Sequence, residues 1–284
     1  MRFAAGIEYC GSRYLGWQRQ ENGPTIQEQV ENSLSIIADH PIHVHCSGRT
    51  DSGVHALQQV IHFDTSAERR PHAWTLGGNV NLPSDIVIIW TQLVPPEFHA
   101  RFSATGRTYR YIVLYRRSRA ALLRDQVAWE CRDLDSERMS VAAADLIGEH
   151  DFSAFRAQGC QAKTAVRNVR RLDVSRCGDF VVLEIESNAF LQHMVRNMAG
   201  VLMAIGTGDR PVEWARRVRE SRDRTQGGVT AAAEGLYFVS AIYEDKFRIR
   251  APSSNIPIRL FAGLAGTSSP ANTQRPRAKA DGQA

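Results

Sequence analysis

The order in which strand-like and helix-like patterns follow each other constrains the fold of this chain more than any other sequence feature. Apolar and polar residues alternate in residues 2–10, as in a strand with one buried face, whereas residues 24–39 repeat apolar residues at helical spacing. Pro24 fits the first turn of that helix. Further strands are predicted at 41–46, 57–64 and 86–94, and a short helix at 71–78. Residues 1–103 are therefore predicted to form a small α+β unit with an antiparallel sheet.

A similar order recurs in residues 104–250. Strands are predicted at 108–115, 167–174, 180–187 and 235–244, and helices at 136–147, 190–205 and 211–221. No sequence repeat accompanies this recurrence. It nevertheless favours an α+β fold of two similar halves, each an antiparallel sheet backed by helices. Two sheets side by side would leave a central cleft, which is a common position for a binding site.

The composition changes at about Ala251, where Pro, Ser, Gly, Ala and Arg follow with little periodicity. The tail, residues 251–284, is predicted to be largely disordered, and 267–284 entirely so. A short apolar patch at 256–264 could dock on the body. The basic residues near the end fit a spacer or solubility tail better than an RNA-binding arm.

The sequence resembles neither a membrane protein nor a secreted one. No apolar run approaches the roughly 20 residues that span a bilayer, and the N-terminus lacks the continuous apolar stretch of a signal peptide. The five cysteines are scattered and form no Cys-x-x-Cys pair, which favours reduced thiols in the cytoplasm. His43, His45, Cys46 and His55 lack the paired spacing of a tetrahedral metal site, so we expect no metal.

The net charge of +5 is modest, but the basic residues are unevenly distributed. Only three of the 35 are lysine, a bias that high genomic GC content could also produce. Two stretches contain no acid, one between Glu97 and Asp125 and one between Asp151 and Asp173, and both interleave arginines with aromatic residues. Such stretches are usually solvated faces. Two of them together favour a phosphate-rich partner such as nucleic acid.

The segment 47–57 contains the residues that point most directly to chemistry. Asp51 lies between Gly48 and Gly53, and Arg49 precedes it by two residues. The glycines permit a tight turn that presents the carboxylate. Asp51 could equally be a turn residue that bonds its own backbone. An aspartic peptidase would need a second such carboxylate, and this chain has a single Asp-Ser-Gly.

The stretch Gly48-Arg49-Thr50-Asp51-Ser52-Gly53-Val54-His55-Ala56 resembles the active-site motif of the tRNA pseudouridine synthase A family. The resemblance covers about residues 2–250. Other segments agree with the family in order and spacing: Gly16-Trp17-Gln18-Arg19-Gln20, Phe98-His99-Ala100-Arg101-Phe102, Arg107-Thr108-Tyr109-Arg110-Tyr111, His150-Asp151-Phe152-Ser153, Gln192-His193-Met194-Val195-Arg196-Asn197 and Ala233-Glu234-Gly235-Leu236-Tyr237.

The resemblance implies the pseudouridine synthase fold and the isomerisation of uridine to pseudouridine at positions 38, 39 and 40 in the anticodon stem-loop of tRNA, without a cofactor. It identifies Asp51 as the catalytic carboxylate. Chemically, Asp51 could add to C1′ or C6 of the nucleotide, or remove the C2′ proton. The resemblance also implies a homodimer that tRNA crosses.

Three further residues are expected around the substrate. Arg196 is the one basic residue in a predicted apolar helix, where it must either extend to the surface or pair with a buried acid. By resemblance it pairs with Asp51 and favours the charged carboxylate. Tyr109 matches the tyrosine that stacks on the flipped uracil, although strand packing would also explain it. Arg49 is expected to enter the space that the flipped nucleotide leaves.

Two segments match tRNA-contacting parts of the family, and we expect them to contact phosphates and read RNA shape. Their residues are Phe98, His99, Ala100, Arg101 and Phe102 in the first, and Gly159, Cys160, Gln161, Ala162 and Lys163 in the second. His55 is expected to support the Asp51 loop. The alternative function is a non-catalytic RNA-binding module that uses the arginine stretches alone.

Overall fold

The computed structural model describes residues 1–251. The predicted tail of residues 252–284, including the apolar patch at 256–264, lies outside the described residues. Within the described part, the α+β fold class is confirmed. No helix there is long and apolar enough to cross a membrane.

Residues 1–251 form ten strands and five α-helices. The strands are β1 Arg2–Tyr9, β2 Val44–Cys46, β3 His55–Asp64, β4 Ile86–Leu93, β5 Ala104–Tyr115, β6 Ala128–Glu130, β7 Gly148–Asp151, β8 Val166–Cys177, β9 Phe180–Ser187 and β10 Leu236–Tyr243. The helices are α1 Ile26–Ala38, α2 Pro71–Asn81, α3 Ser136–Ala144, α4 Met194–Gly206 and α5 Trp214–Ser221. The short strands β6 and β7 were not expected from the sequence, because three or four residues show no clear alternation.

The strands form one continuous sheet, which differs from the two separate sheets expected. Its order is β4-β1-β3-β10-β5-β9-β8-β7, with β2 beside β3 and β6 beside β5. Strands from residues 1–103 lie on one side and strands from 104–250 on the other. The two sides are joined by a short parallel pairing of β3 with β10, where Tyr237 lies opposite His55. Pairing across such a sequence distance is not encoded in local periodicity.

Helix α1 begins later than predicted. Thr25 has an extended backbone, with φ −133° and ψ 152°, so Pro24 lies before the helix and not in its first turn. The predicted apolar stripe is confirmed, since Ile26, Val30 and Leu34 are fully buried. The last residue of the helix is Ala38, and Asp39, which follows it, has a left-handed backbone.

Each face of the sheet has its own core because successive strand side chains point to opposite sides. On β1, Phe3, Ala5 and Ile7 belong to the main core, which the helices cover. Ala4 points to the other face, where residues near Phe98 pack across the sheet. The 98–102 segment is thus anchored to this face of the sheet by the buried side chains of Phe98 and Ala100.

Candidate active site

The loop carrying Asp51 is held by backbone and side-chain contacts from the N-terminal half. Thr50 is buried, and its carbonyl accepts a hydrogen bond of 3.0 Å from the amide of Trp17. The hydroxyl groups of Thr50 and Tyr9 lie 2.7 Å apart. The amide of Val54 donates to the Asp51 carbonyl at 3.2 Å, which closes a tight turn. Asp51 therefore projects from a rigid support.

Two glycines make this turn possible. Gly53 has φ +78°, a left-handed conformation that glycine adopts at low cost, as the sequence predicted. Gly16 has φ +99°, and a Cβ atom there would lie 2.6 Å from the Thr50 carbonyl oxygen. Gly16 thus allows a neighbouring loop to pack directly against the backbone that presents Asp51.

Two side chains from the start of α4 lie against the Asp51 carboxylate. Nη1 of Arg196 is 3.9 Å from Oδ2 of Asp51, and Nε2 of His193 is 3.5 Å from the same oxygen. The side chains are partly buried, with 29% of Asp51, 16% of Arg196 and 32% of His193 exposed. The structure therefore brings together the predicted pair Asp51 and Arg196, through one long contact.

Arg196 is oriented by the segment 223–232, which we call the strap. Its Nε donates a hydrogen bond of 2.7 Å to the Ala231 carbonyl, and the Ala231 amide donates at 3.1 Å to the Arg196 carbonyl. The strap itself is held by Asn197, whose Oδ1 accepts from Arg224 at 3.0 Å and from Thr230 at 2.7 Å. These contacts leave the end of the guanidinium free to face the carboxylate.

Tyr109 lies on β5 beside the Asp51 loop. Its ring makes edge-to-face contacts with Phe190 and Phe238, at centroid distances of 4.9 and 5.1 Å. A Cβ atom on Gly48 would lie 3.7 Å from its hydroxyl, so the loop approaches it closely. Burial and, secondarily, the Asp51 charge raise the pKa of Tyr109 well above its usual range. The hydroxyl is therefore protonated at neutral pH.

Arg49 is exposed and has no hydrogen bond or ion pair with any residue of 1–251 that would hold its guanidinium. Its side chain is free to meet a ligand. His55, in contrast, is built into the fold as expected: its Nδ1 accepts from the Gly11 amide at 3.1 Å, and its Nε2 lies 3.2 Å from the Glu234 carbonyl. Burial lowers the pKa of His55, and it supports the loop as a neutral ring.

The segment 98–102 presents only part of its side chains to solvent. Phe98 and Ala100 are fully buried, so their side chains anchor the segment and do not form its surface. Nδ1 of His99 accepts from the amides of Arg101 and Phe102 at 3.1 and 3.3 Å. The Phe102 ring is 75% exposed, and the Arg101 guanidinium lies 5.6 Å from its centre. An arginine and an aromatic ring are thus displayed together.

The loop 159–163 borders the start of α4. The Ala157 amide donates to the Gln192 carbonyl at 3.0 Å, which ties the loop to the residue before His193. Arg156 donates to the carbonyls of Cys160 and Ala162 and so supports the loop from below. Gly159, Gln161 and Lys163 are exposed, whereas Cys160 and Ala162 are half-buried.

The two acid-free stretches have acidic neighbours in the folded structure that the sequence order does not show. Arg110 pairs with Glu184, and Arg170 with Glu186, because β9 brings acids beside both stretches. The guanidinium of Arg107 is used within the protein, where it donates hydrogen bonds to backbone carbonyls that include those of Ser47 and Arg101. Burial lowers the pKa of Arg107. These three arginines therefore have partners within the protein, and a phosphate-rich partner for the two stretches stays a prediction.

His193 was not assigned a role from the sequence, although it stands three residues before Arg196. Residues three apart on a helix share a face, and this spacing could have indicated that both meet Asp51. The described residues include no group of three His, Cys, Asp or Glu side chains that could hold a metal.

Comparisons with known proteins identify one family. The family described as tRNA pseudouridine synthase matches residues 5–103 and 142–244. A tRNA pseudouridine synthase A from Nitrosococcus oceani is 53% identical over 261 residues, or 92% of this chain and 100% of that protein. Proteins of the same name from Hydrogenovibrio crunogenus and Pseudomonas aeruginosa are 52% and 53% identical, and cover 87% and 93% of this chain and 94% and 92% of their own lengths.

Proposed function

The chain belongs to the tRNA pseudouridine synthase family, and we propose that it isomerises uridine to pseudouridine at positions 38, 39 and 40 in the anticodon stem-loop of tRNA. The reaction breaks the C1′–N1 bond, turns the uracil and joins C5 to C1′. One proton leaves C5 and one is gained at N1, so neither an oxidant nor a second substrate is required.

One observation supports this proposal most strongly. A half-buried aspartate, Asp51, faces Arg196 within the segments that the family match covers, and it lies beside a buried tyrosine, Tyr109. A guanidinium is a strong hydrogen-bonding partner for a charged carboxylate. That charge is required whether Asp51 adds to C1′ or C6 or removes the C2′ proton.

The neighbouring residues fit the handling of a flipped base. Tyr109 offers its ring for stacking, and its protonated hydroxyl can assist removal of the C5 proton only by passing its own proton onward. Arg49 is exposed beside Asp51 and can occupy the gap that the extruded nucleotide leaves. Chemistry on a stacked base requires such an extrusion.

The tRNA is proposed to lie across both contact segments. Arg101 and Phe102 combine a charge with a stacking surface, which suits unstacked nucleotides of a loop. Lys163 offers a phosphate contact. We propose further that the enzyme works in the cytoplasm as a homodimer, with each tRNA contacting both subunits.

The decisive experiment compares the wild type with Asp51→Asn. We expect the variant to bind tRNA with unchanged affinity and to form no pseudouridine, because the amide carries no charge. Electrophoretic binding and pseudouridine mapping of the anticodon arm measure the two properties separately. Full turnover by Asp51→Asn would overturn the catalytic assignment of Asp51, whereas tRNA binding without any pseudouridine formation by the wild type would favour a non-catalytic RNA-binding module.

A further inference from the structure

His193 occupies a position that its helix does not explain. It is the residue immediately before α4, and its backbone has φ +62°, a conformation that residues other than glycine adopt at a cost. Its side chain makes no capping hydrogen bond to the helix, although capping is the usual role of a residue at this place. A capping role therefore does not explain the presence of histidine at this position.

The imidazole of His193 is also unlike those of the buried structural histidines. His55 engages both ring nitrogens with backbone groups, and His62 accepts a hydrogen bond of 3.1 Å from the Ala100 amide. Within residues 1–251, the ring of His193 makes no hydrogen bond and one ion-pair contact, to the Asp51 carboxylate at 3.5 Å. About a third of the side chain is exposed, so the ring lies at the open side of the carboxylate.

Two side chains approach the Asp51 carboxylate from the start of α4. Their nearest approaches are both to Oδ2, at 3.5 Å for His193 and 3.9 Å for Arg196, and the carboxylate accepts no hydrogen bond from residues 1–251. When these contacts shorten, they restrict the rotation of the carboxylate. Hydrogen bonds that are long in a free enzyme commonly shorten in the substrate complex.

We propose that His193 is a positioning residue for the isomerisation, which donates from Nε2 to the Asp51 carboxylate in the substrate complex and so restricts the direction in which the carboxylate faces the nucleotide. The inference rests on the proposed role of Asp51. It assigns His193 a task distinct from that of Arg196, because Arg196 supplies a fixed charge, whereas His193 restricts the direction of the carboxylate.

Three substitutions test this proposal by single-turnover pseudouridine formation and tRNA binding. His193→Leu removes the donor, and we expect a 10- to 100-fold slower step with tRNA affinity unchanged within twofold, as for a misaligned catalytic group. His193→Gln keeps an N–H donor at a similar reach and should recover most of the rate. His193→Gly relieves the left-handed backbone, so it should be slow despite a melting temperature no lower than wild type.

The outcomes separate this proposal from the proposed function. If Leu and Gln variants lose the same rate, or if His193→Gly turns over normally, His193 does not position Asp51. Asp51→Asn is measured alongside as the reference for the reaction itself. An inactive Asp51→Asn with an unimpaired His193→Leu overturns the positioning role alone, whereas an active Asp51→Asn overturns the catalytic role on which it rests.

Discussion

Arg196 combines two contacts that a shorter or differently shaped cation could not make together. Its Nε is committed to the Ala231 carbonyl, while Nη1 faces Asp51. Lysine has a single nitrogen and cannot satisfy both. The arginine therefore links the position of the strap to the surroundings of the Asp51 carboxylate.

Replacing Arg196 by alanine is expected to abolish turnover nearly completely while leaving the protein folded. Asp51 is partly exposed, so water can solvate it when its partner is removed, and the fold does not have to accommodate an isolated buried charge. Single-turnover rates and circular dichroism melting provide the measurements. Normal turnover by Arg196→Ala would show that the guanidinium is dispensable.

His62 makes the stability of the fold sensitive to acid. Burial, and then the nearby His99 and His45, lower the pKa of His62 to about 3. In the unfolded chain the ring titrates near 6.5. Between these values the unfolded state binds a proton that the folded state does not, so stability is full above about pH 6.5 and falls as the pH decreases.

The His62→Asn variant tests this pH dependence. Asparagine can still accept from the Ala100 amide through Oδ1 but does not titrate. We expect urea unfolding of the wild type to lose roughly 2 kcal/mol between pH 7 and pH 5 from this group, and the variant to lose correspondingly less. An identical decrease in both proteins would locate the acid sensitivity elsewhere.

The residues of the site were predictable from the sequence to different degrees. Asp51 was found because glycine positions and neighbouring residues form a local motif. Arg196 was found because a lone charge in an apolar helix requires a partner. The buried state of Phe98 and Ala100 was not predictable, since it results from packing against Trp90 and Phe247 on the far face of the sheet.

At the scale of elements, the strap packs against α4 and contacts Arg196. A Cβ atom on Gly200 would lie 2.0 Å from the Val229 carbonyl oxygen, so the strap crosses the helix in contact with a bare backbone. Two residues further on, the same strap presents the Ala231 carbonyl to Arg196. This arrangement was not predictable from the sequence, because residues 223–232 have no periodicity and the bonds that hold the strap against α4 join residues 27 to 35 positions apart.

Gly200→Ala should slow pseudouridine formation about 10- to 100-fold by shifting the strap and hence Arg196. It should also destabilise the protein by about 1–3 kcal/mol, as overpacking does. Gly206→Ala is the matched control in the same helix, because its new methyl group would meet the flexible side chain of Met139. Equal rates for both variants would contradict a link between strap and site.

At the scale of the whole molecule, charge on the surface differs from charge along the chain. Glu184 lies beside Arg110 and Arg171 although both arginines belong to stretches without acids. The basic stretches of the sequence predicted a phosphate-rich partner, but not which cations remain available to it. That distinction required the pairing of β9 with β5 and β8, which joins residues about 70 and 13 positions apart.

The distinction between paired and available cations leads to a prediction about tRNA binding. Each cation that contacts a phosphate releases counterions, so its removal should reduce the slope of log affinity against log salt by about one. Arg101→Ala and Lys163→Ala are expected to reduce the slope, because both side chains are exposed and neither has an acidic partner among residues 1–251.

Arg110→Ala is the control. Because Arg110 pairs with Glu184, its replacement should leave the slope unchanged. Titrations of tRNA at several salt concentrations measure the slope. A reduction of the slope for Arg110→Ala equal to that for Arg101→Ala would contradict this prediction. It would mean that tRNA displaces the internal ion pairs, so that paired arginines contact phosphates as well as unpaired ones.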